Sequence, residues 1–127
     1  MITFNYFYYS NINLFIITFN KSFITINVEQ MGMMFYGCQK ITEFNISNFD
    51  TKNVVNMGGI FGKCLSLGII DIRNFDTKNL NNKANLFNEI AEKGEIYYNS
   101  EIFDKTLLDF SIIKDWKKID ISILGIK

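Results

Sequence analysis

The sequence contains no histidine, no proline and only two cysteines among its 127 residues. Without histidine, the Ser-His-Asp and Cys-His catalytic arrangements and histidine-ligated metal sites are excluded. Two cysteines are too few for a disulfide scaffold or a four-cysteine zinc site. We therefore predict that the chain is not an enzyme and has no catalytic residues, no metal site and no cofactor.

Neither sign of charge is in excess, because 13 Lys and Arg residues balance 13 Asp and Glu residues. Nucleic-acid binders normally carry a basic excess, so no nucleic-acid partner is predicted. No apolar run reaches the length of about 18 residues that a spanning helix needs, so no integral membrane segment is predicted. Residues 1–20 lack charged side chains, but they also lack a basic start and a small-residue cleavage site, so we predict no export signal.

An internal repeat with an offset of 26 residues organises the chain. The block NFDTKN occurs at 48–53 and again at 74–79, and Phe35 and Cys38 recur as Phe61 and Cys64. A fixed offset of this kind indicates a repeat architecture. We predict a leucine-rich repeat array at 1–98, with a degenerate repeat at 1–26, repeats near 27–52, 53–78 and 79–98, and a capping segment at 99–127.

Each repeat is predicted to hold one strand. The spacing Ile41-x-x-Phe44-x-Ile46 recurs at 67–72 and is typical of the strand of a leucine-rich repeat. Alternate residues of a strand point to opposite faces, so Phe44 and Ile46 are predicted to face inwards. The register predicts parallel strands at roughly 42–47, 68–73 and 94–98. A one-residue slippage extends it to a first strand near 14–19.

A short helix is predicted in the other half of each repeat. Val28, Met31, Met34 and Phe35 have the spacing of one helix face, and it recurs at 54–61. We therefore predict helices near 28–36 and 54–62, opposite the strands. A unit of this size cannot bury its own apolar face and must stack on its neighbours. The predicted fold is α/β: a short leucine-rich-repeat solenoid with a parallel strand ladder, short helices on the opposite face and a C-terminal cap.

The C-terminal segment leaves the repeat register while keeping apolar side chains, Phe110 and Ile112 among them. It also contains the only tryptophan, Trp116. Arrays need an end piece that shields the last repeat, so we predict that Trp116 packs with Leu107, Leu108 and the last strand. No matching cap is evident at the N-terminus, and we predict that end-to-end self-association would involve the N-terminal repeat.

Residues 28–57 resemble the repeats of BspA-like leucine-rich repeat surface proteins, which occur in mycoplasmas, spirochaetes, other low-GC bacteria and some parasitic protists. The strong match covers roughly residues 27–82. The resemblance implies a surface-exposed or secreted, non-enzymatic protein, because some family members are adhesins or bind host proteins. It rests on the following residues: Met31, Met34, Phe35, Cys38, Ile41, Phe44, Ile46, Ser47, Asn48, Phe49, Asp50, Thr51, Asn53 and Val54.

The outward strand positions are the candidate binding face for a protein partner, with host extracellular proteins as the class that the resemblance implies. Ile69, Arg73 and Tyr97 are of residue types that suit binding surfaces there. The alternative is an ordinary solvated strand face. The candidate residues are Glu43, Asn45, Ser47, Ile69, Asp71, Arg73, Glu95 and Tyr97.

Two functional hypotheses follow. The first is an adhesin-like protein-interaction module of a surface protein. The second is a truncated array fragment with only a structural or capping role. Paired carboxylate catalysis is not favoured, because Glu43 and Glu95 would lie two strands, roughly 10 Å, apart.

Other repeated side chains have structural and functional interpretations. Cys38 and Cys64 are predicted to be buried and reduced, the alternative being a disulfide between repeats. The paired asparagines 48/74 and 53/79 are predicted to satisfy backbone groups in turns, the alternative being a sugar or ion site. The Asp-Thr pairs at 50–51 and 76–77 are too sparse to favour a calcium site.

Overall fold

The structure is a computed structural model that describes residues 2–3, 16–19, 23–108, 113 and 115–125. Its main feature is a five-stranded sheet, in which all neighbouring strands are parallel and follow each other in chain order. A second, two-stranded parallel sheet pairs β1 with β3. The strands of the described residues are β1 (Ile2–Thr3), β2 (Ile16–Thr18), β3 (Val28–Gln30), β4 (Glu43–Asn45), β5 (Ile69–Asp71), β6 (Glu95–Tyr98) and β7 (Lys117–Asp120).

The repeat offset sets the register of the main sheet. Phe44 pairs with Ile70, and Ile70 pairs with Ile96, which is the 26-residue spacing of the sequence. Ile17 pairs with Phe44, as expected from a slippage of one residue. The three parallel strands predicted at 42–47, 68–73 and 94–98 are confirmed, although regular pairing is confined to the shorter ranges given above.

The helices predicted near 28–36 and 54–62 are wrong. Residues 32–37 and 58–63 form consecutive turns instead. Their N–H groups donate to the next repeat and not along a helix, as in Met31 N to Asn56 O at 2.8 Å and Phe35 N to Ile60 O at 3.0 Å. We call this second column of hydrogen bonds between repeats the turn ladder. Short 3-10 helices lie at Lys105–Leu108 and Ile121–Leu124, so the α/β class holds as a parallel sheet with a few short helices.

Left-handed residues explain why these segments are not helical. Met33, Gly59 and Asn85 have φ of 57°, 66° and 57°, one residue per repeat at the same position. A right-handed helix cannot contain such residues, whereas a turn whose third residue has positive φ requires one. The turns still point Met31, Met34 and Phe35 into the core, so they have the same apolar spacing as a helix face.

The core lies between the sheet and the turn ladder and consists of columns of equivalent side chains. The rings of Phe35, Phe61 and Phe87 stack at centroid distances of 5.9 and 5.8 Å. Buried threonines connect the repeats, since the Thr51 hydroxyl donates to Asp76 O at 3.1 Å and accepts from Asp76 N at 2.8 Å. Stacking of equivalent residues therefore accounts for both the apolar and the polar parts of the core.

The C-terminal segment packs against the last repeat and adds a strand that the sequence did not predict. β7 pairs with β6, with Ile96 opposite Lys118. Trp116 is 4% exposed and shares the core cluster with Leu107 and Leu108, as predicted. Phe110 and Ile112 lie outside the described residues. Among the residues that are described, no helix is long and apolar enough to span a membrane.

Candidate functional site

The candidate site is the outward side of β4, β5 and β6 together with the turns that follow them. We call it the sheet face. Phe44, Ile70 and Ile96 are buried, whereas the residues on either side of each are partly or fully exposed. Strand pairing places the predicted site residues in two rows, as the alternation indicated. The first row is Glu43, Ile69 and Glu95, and the second is Asn45, Asp71 and Tyr97.

Ile69 occupies the middle of the first row. It is 38% exposed and is the exposed large hydrophobic side chain that the structure describes within β4–β6. Its neighbours in the row are the acidic residues Glu43 and Glu95. An apolar centre with a polar surround is the arrangement found at many protein interfaces.

Asp71 and Arg73 form a two-pronged ion pair on the sheet face. Arg73 Nη2 lies 2.8 Å from Asp71 Oδ2, and Arg73 Nε lies 2.9 Å from Asp71 Oδ1. The hydrogen bonds to Asp71 raise the pKa of Arg73 further above its usual value, so the guanidinium stays charged. The pair fixes the planar guanidinium next to the second row, which is the geometry in which arginine recognises carboxylates and aromatic rings.

Tyr97 is held by its neighbour in the first row. Its hydroxyl donates to Glu95 Oε2 at 3.0 Å. This hydrogen bond, followed by burial, raises the pKa of Tyr97, so the phenol remains protonated. A tyrosine fixed on a strand contributes contact area and a polar atom without losing much conformational freedom on binding.

Asn45 and Ser47 occupy the same repeat positions as Asp71 and Arg73. The Ser47 hydroxyl donates to Asn45 Oδ1 at 2.9 Å, and this local bond closes the turn after β4. In both repeats the side chain that ends the strand is thus committed to the following turn. These two residues therefore belong to the rim of the sheet face.

β7 adds two residues to the sheet face that sequence reasoning missed. Lys117 pairs with Glu95 in the first row, and Ile119 pairs with Tyr97 in the second. The segment follows β6 by 22 residues, so a 26-residue register does not reach it. The available signal was the residue count between Tyr97 and Ile119, which only the observed loop length makes meaningful.

The remaining candidate groups have structural roles. Glu43 and Glu95 are separated by the strand that carries Ile69. Cys38 and Cys64 are free and buried, as predicted, and the hydrogen bond between the thiols together with burial raises the pKa of Cys64. Within the described ranges no cluster of three or more cysteine and acidic side chains could hold a metal ion.

The repeated asparagines bind backbone groups of the preceding repeat, as predicted. Asn53 Nδ2 donates to Ile26 O at 2.7 Å, and Asn79 Nδ2 donates to Lys52 O at 2.6 Å. Asn48 and Asn74 make corresponding bonds to Phe19 O and Ser47 O. Because these amides are engaged between repeats, a role in ligand binding is not needed to explain them.

A family model described as a mycoplasma protein of unknown function, DUF285, matches residues 5–110. This match covers most of the chain and agrees with a mycoplasma-type repeat protein, without identifying the repeats as leucine-rich. No curated protein and no solved structure matches the chain. The chain belongs to the DUF285 family of mycoplasma proteins of unknown function.

Proposed function

We propose that this chain is a non-enzymatic protein-interaction module of a mycoplasma surface protein, and that it binds a protein partner through the sheet face. In this proposal the repeats form a short leucine-rich-repeat solenoid of the BspA-like type. Strand pairing at the 26-residue offset and the columns of stacked side chains support this interpretation. The family match supports a mycoplasma origin.

The observation that carries the proposal is the exposed apolar side chain of Ile69 among ordered polar groups. Glu95 holds Tyr97, and Asp71 holds Arg73, so both large side chains are fixed before binding. Tyrosine and arginine are enriched among the residues that dominate binding energy. Side chains that are already ordered lose less entropy on association, which favours affinity.

Binding to immobilised host extracellular matrix proteins, measured by surface plasmon resonance, tests the proposal. We expect Ile69→Asp and Tyr97→Ala each to weaken binding by about tenfold or more, as for central interface residues. Ile24→Asp is the matched control, because Ile24 is 74% exposed but lies outside the strands. Tyr97→Phe isolates the hydroxyl that Glu95 holds.

Two results would overturn this assignment. Equal weakening by Ile24→Asp and Ile69→Asp would mean that the sheet face is not the binding surface. Failure of the folded protein to bind any member of the panel would favour the alternative, an array fragment with only a structural role. Antibody labelling of intact mycoplasma cells, compared with permeabilised cells, tests the surface location independently.

A further inference from the structure

The turn ladder ends in an unpaired edge at its last repeat. In the preceding repeat, the N–H groups of residues 57, 59, 61 and 63 donate to carbonyl oxygens of residues 82, 84, 86 and 88 at 2.7 to 3.0 Å. The equivalent N–H groups of Lys83, Asn85, Phe87 and Glu89 have no acceptor in the part of the chain that the structure describes. We call this row of four donors the ladder edge.

A groove lies beside the ladder edge. It has a volume of about 670 Å³ and is lined by residues 81–88 together with Leu107. Leu86, Phe87 and Leu107 give it apolar walls, and the exposed residues Asn81, Asn82, Asn85 and Asn88 surround it. A volume of this size accommodates one or two side chains of a partner.

The internal turn ladder shows what chemistry fits such an edge. Donors on every second residue pair with carbonyl groups on every second residue of a chain that runs parallel. An unpaired row of this kind is a template for the addition of another extended backbone. The complementary ligand is therefore a polypeptide, because no small charged group presents carbonyl oxygens at this repeat distance.

The residues of the edge differ from those that stack on a further copy of the same repeat. The amide of Asn56 lies where a Cβ at Gly32 would come within 2.9 Å of it, and Asn82 lies in the same way against Gly58. The next position is Ala84, whose Cβ leaves no room for another such asparagine. Lys83 also replaces the buried Met31 and Met57, and its Nζ lies 3.3 Å from Asp104 Oδ2.

We propose that the ladder edge is a strand-addition site for an extended segment of another protein. The segment supplies carbonyl groups to Lys83, Asn85, Phe87 and Glu89 and runs parallel to them. It places one apolar side chain in the groove beside Leu107 and carries a small residue, not asparagine, over Ala84. This site is separate from the sheet face, so each can be tested without the other.

Hydrogen exchange of the whole, isotope-labelled chain tests the free edge first. We expect the amides of Lys83, Asn85, Phe87 and Glu89 to exchange at least about tenfold faster than their equivalents in the preceding repeat, which are hydrogen-bonded. Slow exchange of the four edge amides in the dilute, unliganded protein would show that the edge is already covered, and would overturn the proposal.

Two synthetic peptides then probe the site. The first has the sequence of residues 55–63, which makes this pairing inside the protein, and the second carries Asn56→Ala. We expect the Asn56→Ala peptide to protect the edge amides of the parent protein. The unaltered peptide should bind the parent at least about tenfold more weakly, and Ala84→Gly should restore its binding by making room for the asparagine.

The controls separate the outcomes. A scrambled peptide should not protect the edge, and Ile69→Asp should leave peptide binding unchanged because it lies on the sheet face. Equal binding of both peptides to both proteins, or no protection by either, would overturn the proposal. Protection that rises with protein concentration, without peptide, would identify a second copy of the chain as the occupant and would also contradict it.

Discussion

Two glycines at the same repeat position, Gly68 and Gly94, have different surroundings. A Cβ at Gly94 would lie 2.5 Å from Gly68 O and 2.8 Å from the ring of Trp116. At Gly68 the nearest atom would be Lys93 O at 3.7 Å, an ordinary contact. The close approach of the last repeat to Trp116 therefore depends on the missing side chain at Gly94.

We expect Gly94→Ala to lower the free energy of unfolding by about 1–3 kcal/mol, because backbone and indole atoms must shift to relieve the overlap. Gly68→Ala is the matched control and should change it by less than about 1 kcal/mol. Urea unfolding followed by Trp116 fluorescence measures both. Similar losses for the two substitutions would mean that the overlap at Gly94 is not the cause.

At the level of elements, Asp120 joins the end of β7 to the 3-10 helix Ile121–Leu124. It caps this helix by accepting from Ser122 N at 3.1 Å, and it accepts from Ser100 N at 3.1 Å in the turn after β6. Burial raises its pKa, but the hydrogen bonds from Ser100 and Ser122 outweigh burial and lower the pKa to about 2. The carboxylate form is therefore the one that the fold stabilises.

We expect Asp120→Ala to lower the free energy of unfolding by about 1 kcal/mol at neutral pH, as for the loss of a helix cap. Because the folded-state pKa is depressed, the contribution is fully present above the unfolded pKa of about 3.9 and is lost as pH falls towards about 2. Urea unfolding at several pH values should show the two proteins converging over that range. A difference that persists unchanged below pH 3 would contradict the titration of Asp120 as its origin.

At the scale of the whole molecule, Trp116 connects the C-terminal segment to the last repeat. Its indole Nε1 donates to Ala91 O at 2.8 Å, and its ring covers Gly94. The side chain is almost fully buried within the core cluster that runs through all the described repeats. It therefore stabilises the position of β7, and with it the outer rows of the sheet face.

We expect Trp116→Ala to lower the free energy of unfolding by about 3–5 kcal/mol, the range for removing a large buried aromatic side chain. Ile123→Ala is the control, because Ile123 is 79% exposed and should have little effect. Unfolding followed by circular dichroism avoids reliance on tryptophan fluorescence. A loss below about 1 kcal/mol would show that the C-terminal segment does not stabilise the last repeat through this residue.

The amino-acid sequence determined the repeat register and, through it, the main sheet. Identical residues 26 positions apart stack on one another, so the pairings of Phe44 with Ile70 and of Ile70 with Ile96 could be read from the alignment. Two-residue alternation along each strand then predicted which side chains face outwards. The two rows of the sheet face follow from these local rules, because strand geometry leaves each side chain only two directions.

Only the tertiary structure decided the form of the other half of each repeat, the position of β7 and the ladder edge. Apolar residues at Met31, Met34 and Phe35 fit a helix and a series of turns equally well. Left-handed residues such as Met33 and hydrogen bonds to a repeat 25 residues away select the turns. A backbone N–H finds its acceptor through contacts between repeats, and such contacts leave no periodic trace in a single repeat. For the same reason, the sequence could not show that Lys83 and Glu89 begin and end an unpaired row of donors.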